Sequence, residues 1–351
     1  IHMTALLHKP KLTMPFISVD PLRVLVNRNH AIESVHEIDI TLCDADGQVI
    51  LGMGAIENPI FPRSAMKPLQ AIALMELLAE EGDNHPAFTM AEKALICASH
   101  NGEPFHAEAV KTLLGKYNIS PSELICGAHW SLDQQSLIEQ VRSLDAPDKT
   151  HNNCSGKHAG MLILAHLLTG SHAGYADIAH QAQQRILGVL EMMTGIDLMT
   201  HSHGIDGCGA PVYSAPLGNW ARAFALFAGG GVLPEAREKA CLDLRKAIAE
   251  NPLYIAGHNR ACSAINAAYG EAITAKVGAE GVYSAAFHEL GLGLMLKTRD
   301  GNKRGAEVAI GAVIRAIGYE MPEPLSAYFT PILRNWAGTE VGDITVENLP
   351  L

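Results

Sequence analysis

The sequence predicts an α+β fold in which an antiparallel sheet, built from both ends of the chain, packs with helices and carries a helical insertion. Three observations predict it. Alternating apolar runs occupy residues 22–54, helical periodicity takes over at Ser64, and alternation returns at Ala272.

Taken in order, the first strands are "LRVLVNR" from Leu22, "SVHEIDITLCD" from Ser34 and "QVILGMGA" from Gln48, with the turn residues "DADG" at Asp44–Gly47 between the last two. From Ser64 the apolar residues Leu69, Ile72, Leu74, Leu77 and Leu78 recur near one helical face. "TMAE" at Thr89–Glu92 and "SPSE" at Ser120–Glu123 read as capping boxes that open helices. Further helices are expected over 156–168, 180–193 and 234–250. Strand character returns in "AITAKVG", "GVYSAAF" and "LGLGLMLKT", the last closed by the turn "RDGN" at Arg299–Asn302, and a helix follows over 306–317. No repeat or Pro/Ser-rich linker separates these pieces. Residues 20–62 and 270–351 therefore read as a sheet subdomain and 63–269 as a mainly helical one, forming a single compact unit with the active site expected at their junction.

Apolar residues are 48% of the 351 and aromatics only 5%, so the core should be filled by Ala, Leu, Ile, Val and Met. The net charge of −11 and the lack of a Lys/Arg block argue against nucleic acid as a partner. No apolar run approaches the roughly 20 residues that span a bilayer, and no export signal opens the chain, so a cytoplasmic protein without a membrane partner is expected. Ile1–Met3 reads as a cloning remnant ahead of a start at Met3. Seven cysteines, an odd number without a CxxC pair, read as free thiols in a reducing compartment.

The chemistry sits in three triplets. "FPRSAMKPLQ" places Ser64 and Lys67 three apart at a helix start, where a hydroxyl and an amine can meet. With the amine's pKa lowered by burial or by the neighbouring Arg63, this is an activated nucleophile; read blandly, it is an N-cap and a solvated lysine. "SHN" at Ser99–Asn101 follows a short apolar helix, and "KVG" at Lys276–Gly278 ends a strand that leads into a hairpin. Ser-x-x-Lys, Ser-x-Asn and Lys-x-Gly in this order are the elements of the serine-reactive penicillin-recognising enzymes. Their chemistry is acyl transfer to water through a covalent intermediate, with backbone amides holding the oxyanion.

"FPRSAMKPLQ", "CASHNGEPFH", "HNNCSGKHAGML", "GIDGCGAP" and "AKVGAEGVY" together resemble the Rhizobium-etli-type L-asparaginases, the asparaginase II or class 3 family. The resemblance runs from about Leu22 past Ile317. It implies a serine β-lactamase and penicillin-binding-like fold shared with glutaminases, hydrolysis of L-asparagine to L-aspartate and ammonia, and a homodimer. It carries the family's two Ser-Lys tandems onto Ser64 with Lys67 and Ser99 with Lys276, with Ser64 taken as the nucleophile and the reverse assignment left open. It also implies a zinc ion on Cys154, Lys157 and Cys208, structural or substrate-positioning rather than water-activating, and no organic cofactor. Two buried free cysteines are the alternative reading of that set.

Asp206, in the Gly-rich stretch "HGIDGCGAP", could receive the substrate's α-ammonium or simply shape a tight turn. Arg63, His100 and Asn101 could line the pocket, and Arg260 could pair with the substrate α-carboxylate through its planar fork or stand on the surface. Glu103 and His106 open the next helix and read as caps or surface groups. The same constellation also serves a glutaminase or a β-lactamase-like hydrolase, and the cysteines alone would suit a zinc-dependent amidohydrolase. A non-enzymatic binding module that keeps the fold is a further reading.

Overall fold

The strands follow the alternation in the sequence. The computed structural model describes residues 15–349; Ile1–Met3 and the N-terminal stretch expected to lack an export signal lie outside them. In chain order the strands are β1 (Phe16–Ser18), β2 (Leu22–Arg28), β3 (Ala31–Cys43), β4 (Val49–Met53), β5 (Pro59–Ile60), β6 (His203–Ile205), β7 (Pro211–Tyr213) and β8 (Ala215–Pro216). They continue with β9 (Ile273–Gly278), β10 (Val282–Phe287), β11 (Leu292–Thr298), β12 (Ile332–Arg334) and β13 (Glu340–Glu347). The helices are α1 (Lys67–Glu81), α2 (Met90–Leu95), α3 (Pro104–Gly115), α4 (Gln134–Ser143), α5 (Ser155–Thr169) and α6 (Gln181–Thr194). After them come α7 (Leu217–Phe227), α8 (Glu235–Glu250), α9 (Pro252–Ala256), α10 (Ala261–Tyr269), α11 (Lys303–Ala316) and α12 (Ser326–Phe329).

The chain divides into two compact units. One takes in the chain up to Ala65, Ala215–Gly231 and the chain from Ala275 on; the other holds Met66–Ser214 and Val232–Thr274. The first is the sheet unit, with strand order β12-β13-β2-β3-β11-β10-β9 and β4 paired to the C-terminal end of β3. Strands from the two ends of the chain meet where β3 pairs antiparallel with β11, Ile40 opposite Leu296. The Lys-x-Gly strand β9 is an edge of this order.

Side chains alternate across the pleat, so His36, Ile38, Ile40 and Leu42 of β3 share the face covered by α11. The opposite face carries α7. Gly293 of β11 lets that helix come close, since a Cβ there would lie 2.0 Å from the Ala221 carbonyl. Residues 63–269 were expected to form one helical block; Ala215–Gly231 leaves that block because α7 packs on the sheet.

In the second unit α1 and α5 are buried on every side, from Lys67 to Leu78 and from Ser155 to Ala165, the polar Gln70, Glu76 and His158 included. That pattern marks a central helix rather than a surface one. Thr89 and Glu92 close the expected capping box on α2. "SPSE" does not: Pro121–Glu123 is only a 3-10 turn, capped by Ser120 Oγ on the Ser122 amide. Proline at the first position starts the turn, and the chain then turns extended at Leu124.

Candidate active site

Within the sheet unit, Ser64 lies in a 3-10 turn, Arg63–Met66, and α1 begins only at Lys67. The expected single α-helical turn is therefore a tighter 3-10 entry, in which residues three apart eclipse. Arg63, just before the serine, has φ of 52°, a left-handed conformation that costs a side-chain-bearing residue about 1–2 kcal/mol. Strain of this kind gathers at functional sites. The edge strand β9 presses on the same turn: a Cβ on Gly278 would lie 2.5 Å from the Pro62 carbonyl and 3.2 Å from the Ala65 amide. Ser284 of β10 ties the two together, its hydroxyl within 3.2 Å of the Lys276 carbonyl and 3.3 Å of the Ala65 carbonyl. Lys276 is fully buried and its Nζ donates to the Val277 carbonyl at 2.9 Å.

The helical unit holds the second cluster. Lys67, 1% exposed, sends Nζ to the Ala98 carbonyl at 2.5 Å, Ser99 Oγ at 2.8 Å and Cys154 Sγ at 3.1 Å. Close helix approach makes this meeting possible. A Cβ on Gly156, in the first turn of α5, would sit 2.3 Å from the Leu95 carbonyl at the end of α2. Glycine there lets the start of α5, with Cys154 and Lys157, lie against the chain that runs on into Ser99.

The two thiols act on one another. Lys157 Nζ is 2.8 Å from Cys208 Sγ, and the two cysteine sulfurs are hydrogen-bonded. That bond, helped by Lys67 and Lys157 against the effect of burial, holds the Cys154 thiol well below its ordinary pKa. The same bond and burial push the Cys208 thiol the other way. Burial works against a charged Lys157, but Cys154, Cys208 and Asp206 outweigh it and raise its pKa. Asp206 sits in the β6–β7 hairpin turn, its carboxylate on the Gly207 amide at 2.8 Å and 3.9 Å from Cys208 Sγ. Two thiols and an amine thus converge. Among the described residues no group of three or more His, Cys, Asp or Glu could hold a metal ion, so any metal here would need the lysine as third donor.

Ser99–Asn101 is held between neighbours, with the Ser99 and Asn101 amides on the Ile255 and Ala256 carbonyls and the His100 amide on the Asn153 carbonyl. His100 is buried and engaged at both ring nitrogens: Nδ1 accepts from the Gly102 amide and Nε2 bonds Ser155 Oγ at 2.9 Å. Burial, with His106 and Lys67 nearby, holds its pKa far below the usual value, so the ring is neutral. Asn101 and Arg260 meet, Nη1 on Oδ1 at 2.6 Å. Glu103 and His106 are not surface groups: both are buried, and Glu103 stands at the start of α3 without making a side-chain cap bond.

Spacing along the sequence passed over several residues. Asn152 receives the Cys154 amide on Oδ1 at 2.8 Å and donates to the Cys126 carbonyl at 2.6 Å, fixing the entry to α5. The Asn two before Cys154 was the available signal, since Asn side chains often bond the backbone two residues on. Glu103 and His258 pair across 155 positions, and nothing local to either announces it.

The L-asparaginase II family model matches residues 24–346. Comparison with curated proteins gives no match. Among solved structures, Mglu in its native form aligns at 14% identity and TM-score 0.41, over 79% of this chain and 63% of its own, so this chain spans less than two thirds of that protein. A class C beta lactamase from Rhodobacter sphaeroides aligns at 14% identity and TM-score 0.35, over 77% and 91% of the two chains. An octameric penicillin-binding protein homologue from Pyrococcus abyssi aligns at 14% and 0.30, over 79% and 73%. With the family model spanning nearly all of the sequence, including every residue of both clusters, the chain belongs to the L-asparaginase II family.

Proposed function

We propose that this chain hydrolyses L-asparagine to L-aspartate and ammonia through an acyl-enzyme on Ser64. The observation that carries the reading is the strained turn that holds Ser64, three residues along the chain from the buried Lys67 amine. Ser64 Oγ attacks the side-chain amide carbon and its proton passes to Lys67. The tetrahedral oxyanion is held by backbone amides, and the C–N bond then breaks as Lys67, with Ser99, delivers a proton to the departing ammonia. Water attacks the ester next, the same groups take its proton, and aspartate leaves while Ser64 regains its hydrogen. In this scheme Lys276 is the lysine that the second tandem assigns to Ser99.

Arg260, with Asn101 on one edge of its guanidinium, receives the α-carboxylate, with Arg63 as a further cation. Asp206 receives the α-ammonium. His100, with both nitrogens occupied, shapes the pocket wall without donating to substrate.

The donor set Cys154, Cys208 and Lys157 fits zinc, since thiolates are good zinc ligands and the Lys157 amine, 2.8 Å from Cys208 Sγ, becomes a third donor once it gives up its proton. Bound there, zinc would supply positive charge that pairs both thiolates and orients the amino-acid end of the substrate. A cytoplasmic homodimer belongs to the same reading, with glutamine, one methylene longer, as a weaker substrate.

A second reading has Ser99 as the nucleophile with Lys67 as its base, and the 2.8 Å Lys67–Ser99 bond favours it. One experiment separates the two. Rapid acid quench of enzyme with L-asparagine, followed by peptide mapping, should find the aspartyl ester on the peptide bearing Ser64. An ester on Ser99 selects the second reading, and no ammonia release from L-asparagine overturns both.

A further inference from the structure

Beyond the two clusters, the buried Glu103 carboxylate makes three hydrogen bonds that no catalytic role uses. It is 8% exposed; Oε1 accepts from the His258 amide at 2.9 Å and Asn101 Nδ2 at 3.3 Å, and Oε2 bonds His258 Nδ1 at 2.6 Å. Asn101 Nδ2 also donates to the His258 carbonyl at 2.9 Å, and Asn101 Oδ1 receives Arg260 Nη1. The backbone is shaped to this clasp. Gly257 has φ of 103°, and a Cβ there would lie 2.3 Å from Glu103 Oε1 and 2.8 Å from Asn101 Nδ2. Glycine is required twice over, by conformation and by space.

We infer that Glu103, acting with His258, is a positioning residue that fixes the 257–260 loop and thereby aims Arg260 and Asn101 at the substrate's α-carboxylate. The inference rests on the proposed L-asparagine reading and goes beyond it by naming what sets the carboxylate site. A buried carboxylate bonded twice to His258 ties that loop down, because its charge-assisted bonds outweigh the entropy of a segment that would otherwise fluctuate. Arg260 stands at the N-cap of α10 directly after that loop, so its guanidinium moves with it. Asn101 joins the clasp to Ser99, two residues away, which links the binding of one end of the substrate to the strip carrying a catalytic hydroxyl.

The test compares two substrates in the full-length enzyme: L-asparagine, and 3-aminopropanamide, which keeps the amide and the ammonium but lacks the α-carboxylate. Glu103→Gln keeps one acceptor and loses the charge. It should raise KM for L-asparagine about tenfold while leaving kcat within about twofold, and should change kcat/KM for 3-aminopropanamide by less than about twofold. His258→Ala truncates a side chain that is 59% exposed, so no core packing is lost. It should reproduce the pattern less strongly, and the double variant should be no worse than Glu103→Gln alone. Equal losses on the two substrates, a loss in kcat with KM unchanged, or additive effects of the two substitutions would overturn the inference. Wild-type enzyme that leaves L-asparagine intact would instead overturn the activity reading on which it stands.

Discussion

Lys67 Nζ and Ser99 Oγ are bonded at 2.8 Å inside the helical unit, with both side chains nearly excluded from solvent. The amine of the first Ser-x-x-Lys element therefore serves the serine of the second element, 32 positions away. A hydroxyl bonded to a buried amine is placed for proton transfer whichever serine attacks.

Lys67→Met keeps the stem and removes the amine, and it should lower turnover of L-asparagine by at least about a thousandfold. Adding Ser99→Ala should then cost little more, because groups that act as one unit are strongly non-additive. Steady-state ammonia release from the single and double variants checks this; additive losses would separate the two residues.

Asn152 holds both the Cys154 amide and the Cys126 carbonyl. Asn152→Ala leaves two buried backbone groups unpaired, each worth about 1–3 kcal/mol. Denaturant unfolding should show a loss in that range, and metal analysis of the purified variant should show reduced zinc. Unchanged zinc content would uncouple the α5 entry from the thiol pair.

The backbone at Arg63 offers a test of stored strain. Arg63→Gly removes a Cβ from a left-handed position, so stability should stay level or rise by up to about 1 kcal/mol despite glycine's entropic cost. Arg63→Val, β-branched at the same φ, should destabilise by about 1–2 kcal/mol or more. Equilibrium unfolding of the two variants gives the sign.

His100 and His106 stack with ring centroids 4.6 Å apart, and burial holds both below their ordinary pKa, His106 at about 4 and His100 well below 6.5. Their folded-state pKa lies under the unfolded value, so the unfolded chain takes up protons first as the solution is acidified. Stability from keeping the rings neutral is fully present above pH 6.5 and is lost as pH falls below it, by up to about 1.4 kcal/mol per unit for each group. Urea midpoints measured between about pH 7 and pH 5 should drop accordingly, and His106→Gln should flatten the slope. A midpoint insensitive to pH over that window would contradict the assignment.

Local pattern reaches only part of this arrangement. The capping box on α2, the turn at Asp44–Gly47 and the strand ending in Lys276–Gly278 are local features, and the structure has all three where the sequence places them. The α7 segment looks like any other amphipathic helix, and only the glycine opposite it on β11 reveals that it belongs to the sheet. The C-terminal pair β12 and β13 extends the sheet beyond the last expected helix, pairing Ile344 with Val26. At the site, the triplets give residue types but not their partners. Lys67 with Ser99, Glu103 with His258 and Lys157 with Cys208 are separated by 32, 155 and 51 positions, and no periodicity encodes such pairs. Glu103 is misread as a surface cap because its neighbours in sequence are those of a helix start, whereas its neighbours in space are a loop after α9.

Gly278 gives the sharpest test of the sheet unit. Its missing side chain lets β9 lie against the backbone of the turn that carries Ser64, with the Pro62 carbonyl 2.5 Å from where a Cβ would stand. The obstacle is main chain, not a flexible side chain, so Gly278→Ala must push the strand and the turn apart. Overpacking of this kind costs about 1–3 kcal/mol. Because Ser284 spans the Lys276 and Ala65 carbonyls, the same shift strains both of its hydrogen bonds and moves Ser64 off its position. Displacement of a nucleophile by about 1 Å can cost about a hundredfold in rate. Gly278→Ala should therefore lower kcat for L-asparagine far more than its modest loss of stability would suggest, while Ser284→Ala, which removes the tie without adding bulk, should lower it less. Paired kinetics and unfolding on the two variants decide it, and a Gly278→Ala enzyme with normal kcat would show that the Ser64 turn is held in place by something other than β9.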